Sequence, residues 1–400
     1  MSRARIISLA VPFLLLTLVA PAPAGAAAGT HHLVRQGTSL TAGYGRVTPA
    51  YRRTIDRVAA DARAAGPVDR SSSARALVDA VVRCATFEGQ RYCLGSGWTD
   101  RTQAQVRAQA VSLLERPAAR PMAVTTTGDL SAYDALRQAA RLSPTQRAAA
   151  ERAELTEAAR SVAKVWLIRH QIQRVPLPRG FFAHHPEVRR TVGRTSTGQD
   201  SGGIARFKPW RAYPTKATVL HPAQVTAQSR TYWCGPTSMQ MIAWGWQQKR
   251  RSQQHWATRL GTTTSGTAIT SMVRVVNDAT GYDKATYAGP YITLDIGDWT
   301  FNQWKLLIAR HVVDYHAPVV LHPVLLARFY PYLDHDGSGH FQVGRGYKKR
   351  PGKTPLLGYF EPWNQQRFHP DEPFVDRVQW RDAYRSYRAN EAHFQHDIGV

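Results

Sequence analysis

The stretch RTYWCGPTSMQMIAWGW, residues 230–246, sets one thiol, Cys234, between an aromatic pair and a Gly-Pro at the head of an apolar run. A thiol reacts as its thiolate, ordinarily at a pKa of about 8.5, and a helix N-terminus or a neighbouring imidazolium lowers that value. Gly235-Pro236 directly after the cysteine reads as a helix start, because proline is accommodated in the first helical turn. The sequence therefore predicts a helix whose positive end faces the sulfur and lowers its pKa. The chemistry open to such a group is nucleophilic attack on a carbonyl with a histidine as base.

Seven downstream histidines qualify as that base: His255, His311, His316, His322, His335, His340 and His369. His340 is the best placed. In DGSGHFQVGRGY it stands at the first residue of an apolar strand after a glycine-rich turn, and a strand end holds a side chain rigidly and exposes it at a sheet edge. A third group must orient the imidazole. Glu361 ends the next strand-like segment, LLGYFEPWNQ, and antiparallel pairing brings either Glu361 or Asn364 near His340. Acyl transfer also needs hydrogen-bond donors for the developing oxyanion. The Cys234 backbone N–H is one, and the side-chain amide of Gln228, six residues earlier, supplies another.

QSRTYWCGPTSMQM, GHFQVGRGY and GYFEPW together resemble the three blocks of the bacteriocin-processing (double-glycine leader) peptidase-like family, over residues 214–390. The resemblance implies a papain-like fold, with a helix carrying the cysteine and an antiparallel sheet carrying the histidine and acid. It also implies that Cys234 is the nucleophile, His340 the general base and Gln228 the oxyanion donor. Glu361 stands where the family usually has Asp in an Asp-Pro pair, and Asn364 is the alternative orienting residue. Transporter-linked members of that family carry an ATPase. PGKT at 351–354 is no phosphate-binding loop, because Tyr347 occupies the position of its required upstream glycine.

The elements that must position these groups fall into two halves. Residues 1–28 read as a signal peptide, with Arg3 and Arg5 as the basic start, an apolar stretch from Ile6 to Val19 and small residues at Ala24-Gly25-Ala26. The expected location is therefore secreted, with association to the cell envelope. Thiols pair outside the cell. Cys84 and Cys93 flank ATFEGQRY, where a two-residue Glu88-Gly89 turn sets them opposite each other for a disulfide. That leaves Cys234 as the odd thiol. Residues 29–173 read as an Ala-rich helical domain holding this hairpin. Helical periodicity follows Thr48-Pro49, runs through SSSARALVDAVVRC and TQAQVRAQAVSLLERP, and resumes after Ser143-Pro144. This half shows no concentration of chemistry, and its position makes it a scaffold, an envelope-binding module or a restraint on the other half. Residues 174–213 read as a linker with TSTGQDSGG at its centre, and His184-His185 as part of a solvated loop.

Residues 214–400 show helical runs followed by strand-length apolar runs at 318–324, 340–347 and 355–360, which suits an α+β domain. DHDGSG at 334–339 begins like a calcium loop. Its twelfth position is Arg345 where a bidentate Glu is required, so it reads as a turn. No metal or other cofactor is expected. Lys and Arg number 52 against 28 Asp and Glu, a net +24. Such a charge favours anionic cell-envelope polymers as partners beside a peptide or protein substrate. The basic residues are scattered and form no zinc finger or dense arm, which argues against nucleic acid. The expectation is a secreted cysteine peptidase working through an acyl-enzyme. The same site doing cell-wall amidase or transpeptidase chemistry, and a non-catalytic basic envelope-binding protein, are the alternatives.

Overall fold

The computed structural model describes residues 45–68, 73–115, 126–188, 207–282 and 289–400. The leader-like residues 1–28 and the TSTGQDSGG stretch lie outside the described residues. Among the described residues ten strands form one sheet: β1 (Cys84–Phe87), β2 (Gln90–Cys93), β3 (Gly97–Thr99), β4 (Lys216–Thr218), β5 (Thr293–Asp295), β6 (Val319–Leu321), β7 (Gln342–Arg350), β8 (Lys353–Phe360), β9 (Val378–Asp382) and β10 (Asp397–Gly399). Their order is β1-β2-β3-β5-β10-β6-β7-β8-β9, with β4 added along β7. The architecture is mixed α+β. Strands from both sides of the 174–213 stretch share the sheet, joined where Trp98 of β3 meets Leu294 of β5 in parallel.

The β1–β2 hairpin turns at Glu88 and Gly89, whose φ values of 49° and 80° are those of a tight primed hairpin turn. Cys84 faces Cys93 across it, and the two form a disulfide. Helix Pro49–Ala64 begins at the Thr48 cap and buries Ile55, Val58, Ala59 and Ala62 against helix Pro144–Ile168. The longer helix starts with a capping box at Ser143 and Gln146. His185 belongs to no solvated loop. It is buried, with Nε2 2.7 Å from Glu88 and Nδ1 2.8 Å from Glu187. Burial alone would lower its pKa, but the two carboxylates raise it to about 9. The pair therefore ties the stretch after the long helix to the hairpin turn.

Helix Cys234–Gln247 is buried along Met239, Met241 and Ile242. Its apolar surface packs into one cluster with Trp256 and Leu260 of helix Gln253–Leu260, Ile269 and Met272 of helix Ile269–Ala279, and Val320, Val343 and Phe360 of the sheet. Burying side chains of this size stabilises by about 1.5–3 kcal/mol each, so the nucleophile's helix is fixed against the strands that carry the base and acid. Among the described residues no helix is long and apolar enough to cross a membrane.

Candidate active site

Cys234 is the first residue of its helix, and no side chain caps that helix end. The N–H groups of Gly235 and of Phe341, the residue after His340, face the sulfur and favour its thiolate. Gly235 is required here, because a Cβ would stand 2.6 Å from the Thr267 hydroxyl. The thiol is completely buried. That burial, with the Asp129 and Glu361 carboxylates nearby, pushes its pKa well above the ordinary value. The sequence expectation of a lowered thiol pKa is thus reversed in this state, because desolvation outweighs the helix end.

The strands explain how His340 and Glu361 meet. Val343 of β7 pairs with Phe360 of β8, so continuing the antiparallel register sets Gln342 opposite Glu361. Side chains alternate along a strand, which puts His340 and Gln342 on the same face. His340 Nε2 is 2.7 Å from Glu361 Oε1, and Gln342 Nε2 donates to Glu361 Oε2 at 2.7 Å. The Trp363 backbone N–H donates to Oε1 at 2.9 Å and the Tyr332 hydroxyl to Oε2 at 2.9 Å. Burial would raise the Glu361 pKa, but the His340 charge and these hydrogen bonds outweigh it and lower the value. His340 Nδ1 is buried and makes no hydrogen bond. A tautomer with the proton on Nε2, given to Glu361, leaves Nδ1 with a lone pair to accept a proton. His340 is not exposed at a sheet edge, as its position in the sequence suggested, but enclosed.

Asn364 takes no part in orienting the imidazole. Its Nδ2 donates to the Gln228 carbonyl at 3.1 Å and its Oδ1 accepts from Arg377 at 3.0 Å. It thereby fixes the Gln228 loop, which the Gln228 N–H also anchors to the Pro362 carbonyl at 2.7 Å. The Gln228 side-chain amide is buried and donates to the carbonyls of Arg230 and Thr231 at 3.0 and 2.9 Å. Cys234, His340, Glu361 and Gln228 are therefore drawn to one place. His255 packs edge-on against Trp256, and His335 and His369 both lie at Glu372. His311, with Nδ1 against the Ala317 carbonyl, is buried and lowered to about 3.

A second buried cluster, which no sequence pattern announced, lies beside this one. Asp129, from the N-terminal half, has Oδ1 2.7 Å from His322 Nε2 and Oδ2 3.0 Å from His393 Nε2. His322 Nδ1 is 2.6 Å from Asp397. Asp129, His322 and His393 converge closely enough to hold a cation. However, His393 Nδ1 accepts the Gln395 N–H at 3.2 Å, so its proton is on Nε2 and that nitrogen has no lone pair for a metal. The cluster is an ion-paired one. His322, a candidate base by position, is engaged by two carboxylates instead.

Residues 220–389 match the family described as the Peptidase_C39 like family. No curated protein and no solved structure matches the chain. The matched residues take in Cys234, His340, Glu361 and Gln228 but not Asp129, and for this part of the chain they support a C39-type cysteine peptidase family.

Proposed function

We propose that the protein is a secreted cysteine peptidase that hydrolyses peptide bonds through a Cys234 acyl-enzyme. The observation that carries this reading is the buried His340, whose Nε2 is held by Glu361 while Nδ1 has no partner, beside a thiol at a helix start. His340 Nδ1 takes the Cys234 proton and the sulfur attacks the substrate carbonyl carbon. The oxyanion receives the Cys234 N–H and the Gln228 amide. The imidazolium then protonates the departing amine, leaving a thioester that water, deprotonated by His340, hydrolyses. Glu361 keeps the imidazole in the required tautomer and stabilises its cation. Residues 214–400 supply this machinery and residues 29–173 adjoin it. The leader-like residues 1–28 and the Cys84–Cys93 disulfide fit an oxidising location. The net +24 charge fits an anionic envelope around the enzyme.

The test is turnover of a peptide library, alongside cross-linked cell-wall muropeptides, with thioester trapping read by intact mass. Peptide cleavage and a thioester on Cys234 are expected, both lost in folded Cys234→Ala and His340→Ala proteins. Cleavage that survives Cys234→Ala rejects the mechanism. Turnover of muropeptides alone replaces the substrate class with cell-wall amides.

A further inference from the structure

The oxyanion position is occupied. The Cys234 N–H donates to the backbone carbonyl of Thr127 at 3.3 Å, and the Gln228 amide reaches the same oxygen at 3.5 Å. A substrate carbonyl would take the Cys234 N–H there, and the Gln228 amide once one of its two hydrogens leaves the Arg230 or Thr231 carbonyl. Thr127 comes from the N-terminal half and lies more than one hundred residues away in sequence.

The segment around it is held from both walls of the site. On the histidine side, the Thr127 N–H donates to Ser338 Oγ at 3.0 Å and the Thr127 hydroxyl to the Gly339 carbonyl at 2.6 Å. On the cysteine-helix side, the Thr267 N–H donates to the Gly128 carbonyl at 2.8 Å and the Leu130 N–H to the Thr267 carbonyl at 2.9 Å. Gly128 has φ 107°, and a Cβ there would run into the Tyr232 backbone. Gly266 and Gly339 leave room for the segment in turn, since a Cβ at either would strike Gly128 or Asp129. The Asp129 carboxylate fills the polar pocket made by His322 and His393. Cys234, His340, Gln228 and Glu361 are all fully buried beneath or beside this segment.

We propose that Thr126–Leu130 is an internal occupant of the substrate channel, which keeps the site closed and displays the kind of peptide the opened site binds. That peptide bends at a glycine, which follows the residue whose carbonyl takes the oxyanion position, and carries an acidic side chain one residue further on. The proposal rests on the peptidase reading for the meaning of the site, but not for its occupancy. Main-chain pairing to Thr267 gives affinity for the peptide backbone, while the His322–His393 pocket selects a carboxylate. Opening requires the segment to leave, which uncovers Cys234 and its two oxyanion donors together.

The experiment is the alkylation rate of Cys234 by iodoacetamide, read by mass at constant pH. In the unaltered protein Cys234 is expected to label at least about a hundredfold more slowly than free cysteine, and labelling at the rate of free cysteine overturns the proposal. Gly128→Val, and separately Asp129→Asn, should raise the rate at least about tenfold with folding intact by near-ultraviolet circular dichroism. An unchanged rate in folded variants also overturns it. The synthetic peptide Thr-Thr-Gly-Asp-Leu-Ser should protect Cys234 again in Gly128→Val, and its Asp→Asn analogue should do so at least about tenfold less well. Equal protection by both removes the acidic preference. Cys234-dependent cutting between Thr127 and Gly128 in the unaltered protein would make the segment a first substrate rather than a resident occupant, and so overturn the proposal. Faster labelling without peptide turnover leaves the occupancy standing and rejects the peptidase reading instead.

Discussion

Glu361 Oε1 lies 2.7 Å from His340 Nε2, and both oxygens of that carboxylate are saturated by protein donors. The extra methylene of Glu relative to Asp is therefore accommodated by the register of β7 and β8, which sets the side chain across from Gln342. Glu361→Gln leaves the shape but brings an amide against groups that all donate. It should cost roughly 3 kcal/mol of stability, in the range for hydrogen bonds to a buried charged group. It should also lower kcat by at least about tenfold, with little change in KM. Denaturant unfolding and steady-state kinetics check both. Asn364→Ala, by contrast, should act through the Gln228 loop and leave the pH profile of kcat in place.

The Gln228 amide donates to the Arg230 and Thr231 carbonyls and points at the oxyanion position. Loss of one oxyanion donor costs about a hundredfold or more in kcat. Gln228→Ala should show that loss in kcat with KM nearly constant, measured on a variant already opened at Gly128. An equal loss in KM would place Gln228 in ground-state binding instead.

The four residues of the candidate site could be singled out because each sits in a short local pattern. Cys234 precedes Gly-Pro at an apolar helix, His340 follows a turn, and Glu361 follows a strand that pairs with the strand just before it in sequence. Gln228 was visible only as an amide six residues before the cysteine. The Thr127–Leu130 segment was not legible. TTTGDL has neither helical nor strand periodicity, and its meaning comes from contacts with Thr267, Ser338 and His322, far along the chain. The joining of the N-terminal hairpin to the main sheet was hidden for a similar reason. It depends on β3, β5 and β10, each of three residues, too short to leave a period. Asp129, meanwhile, carries no signal until His322 and His393 fold around it.

The Cys84–Cys93 disulfide closes a short loop at the end of the sheet, where β1 and β2 lead through β3 to β5. Loop-closure entropy for a ring of this size corresponds to about 2–3 kcal/mol. Cys84→Ser with Cys93→Ser should lower the unfolding free energy by that amount, measured by urea denaturation with the slope unchanged. The loss should be matched by reductant in the unaltered protein, while Cys234 stays slow to label. Fast labelling of Cys234 on reduction would mean that the hairpin helps to hold the site closed.

The ionic anchor of the closing segment carries a definite pH signature. Burial would raise Asp129, but the charges of His322 and His393 and their hydrogen bonds bring it down to about 2. Burial would lower His322, but Asp129 and Asp397 raise it to about 9. His393 is lowered by burial and by the neighbouring His322 charge. A histidine raised in the folded protein stabilises fully below its ordinary pKa of about 6.5, and the contribution is lost as pH rises through about 9. The depressed Asp129 stabilises fully above its ordinary 3.8, and the contribution is lost as pH falls through about 2. The anchor is therefore complete between about pH 4 and 6.5, and weakens on both sides. On the alkaline side the His322 shift corresponds to roughly 3 kcal/mol, shared between Asp129 and Asp397. Thermal midpoints measured from pH 6.5 to 9.5 should fall, and Asp129→Asn should show a lower midpoint at pH 6.5 with a shallower fall above it. Parallel curves for the two proteins would mean that Asp129 does not hold the His322 charge, leaving the segment fixed by its bonds to Cys234, Thr267, Ser338 and Gly339.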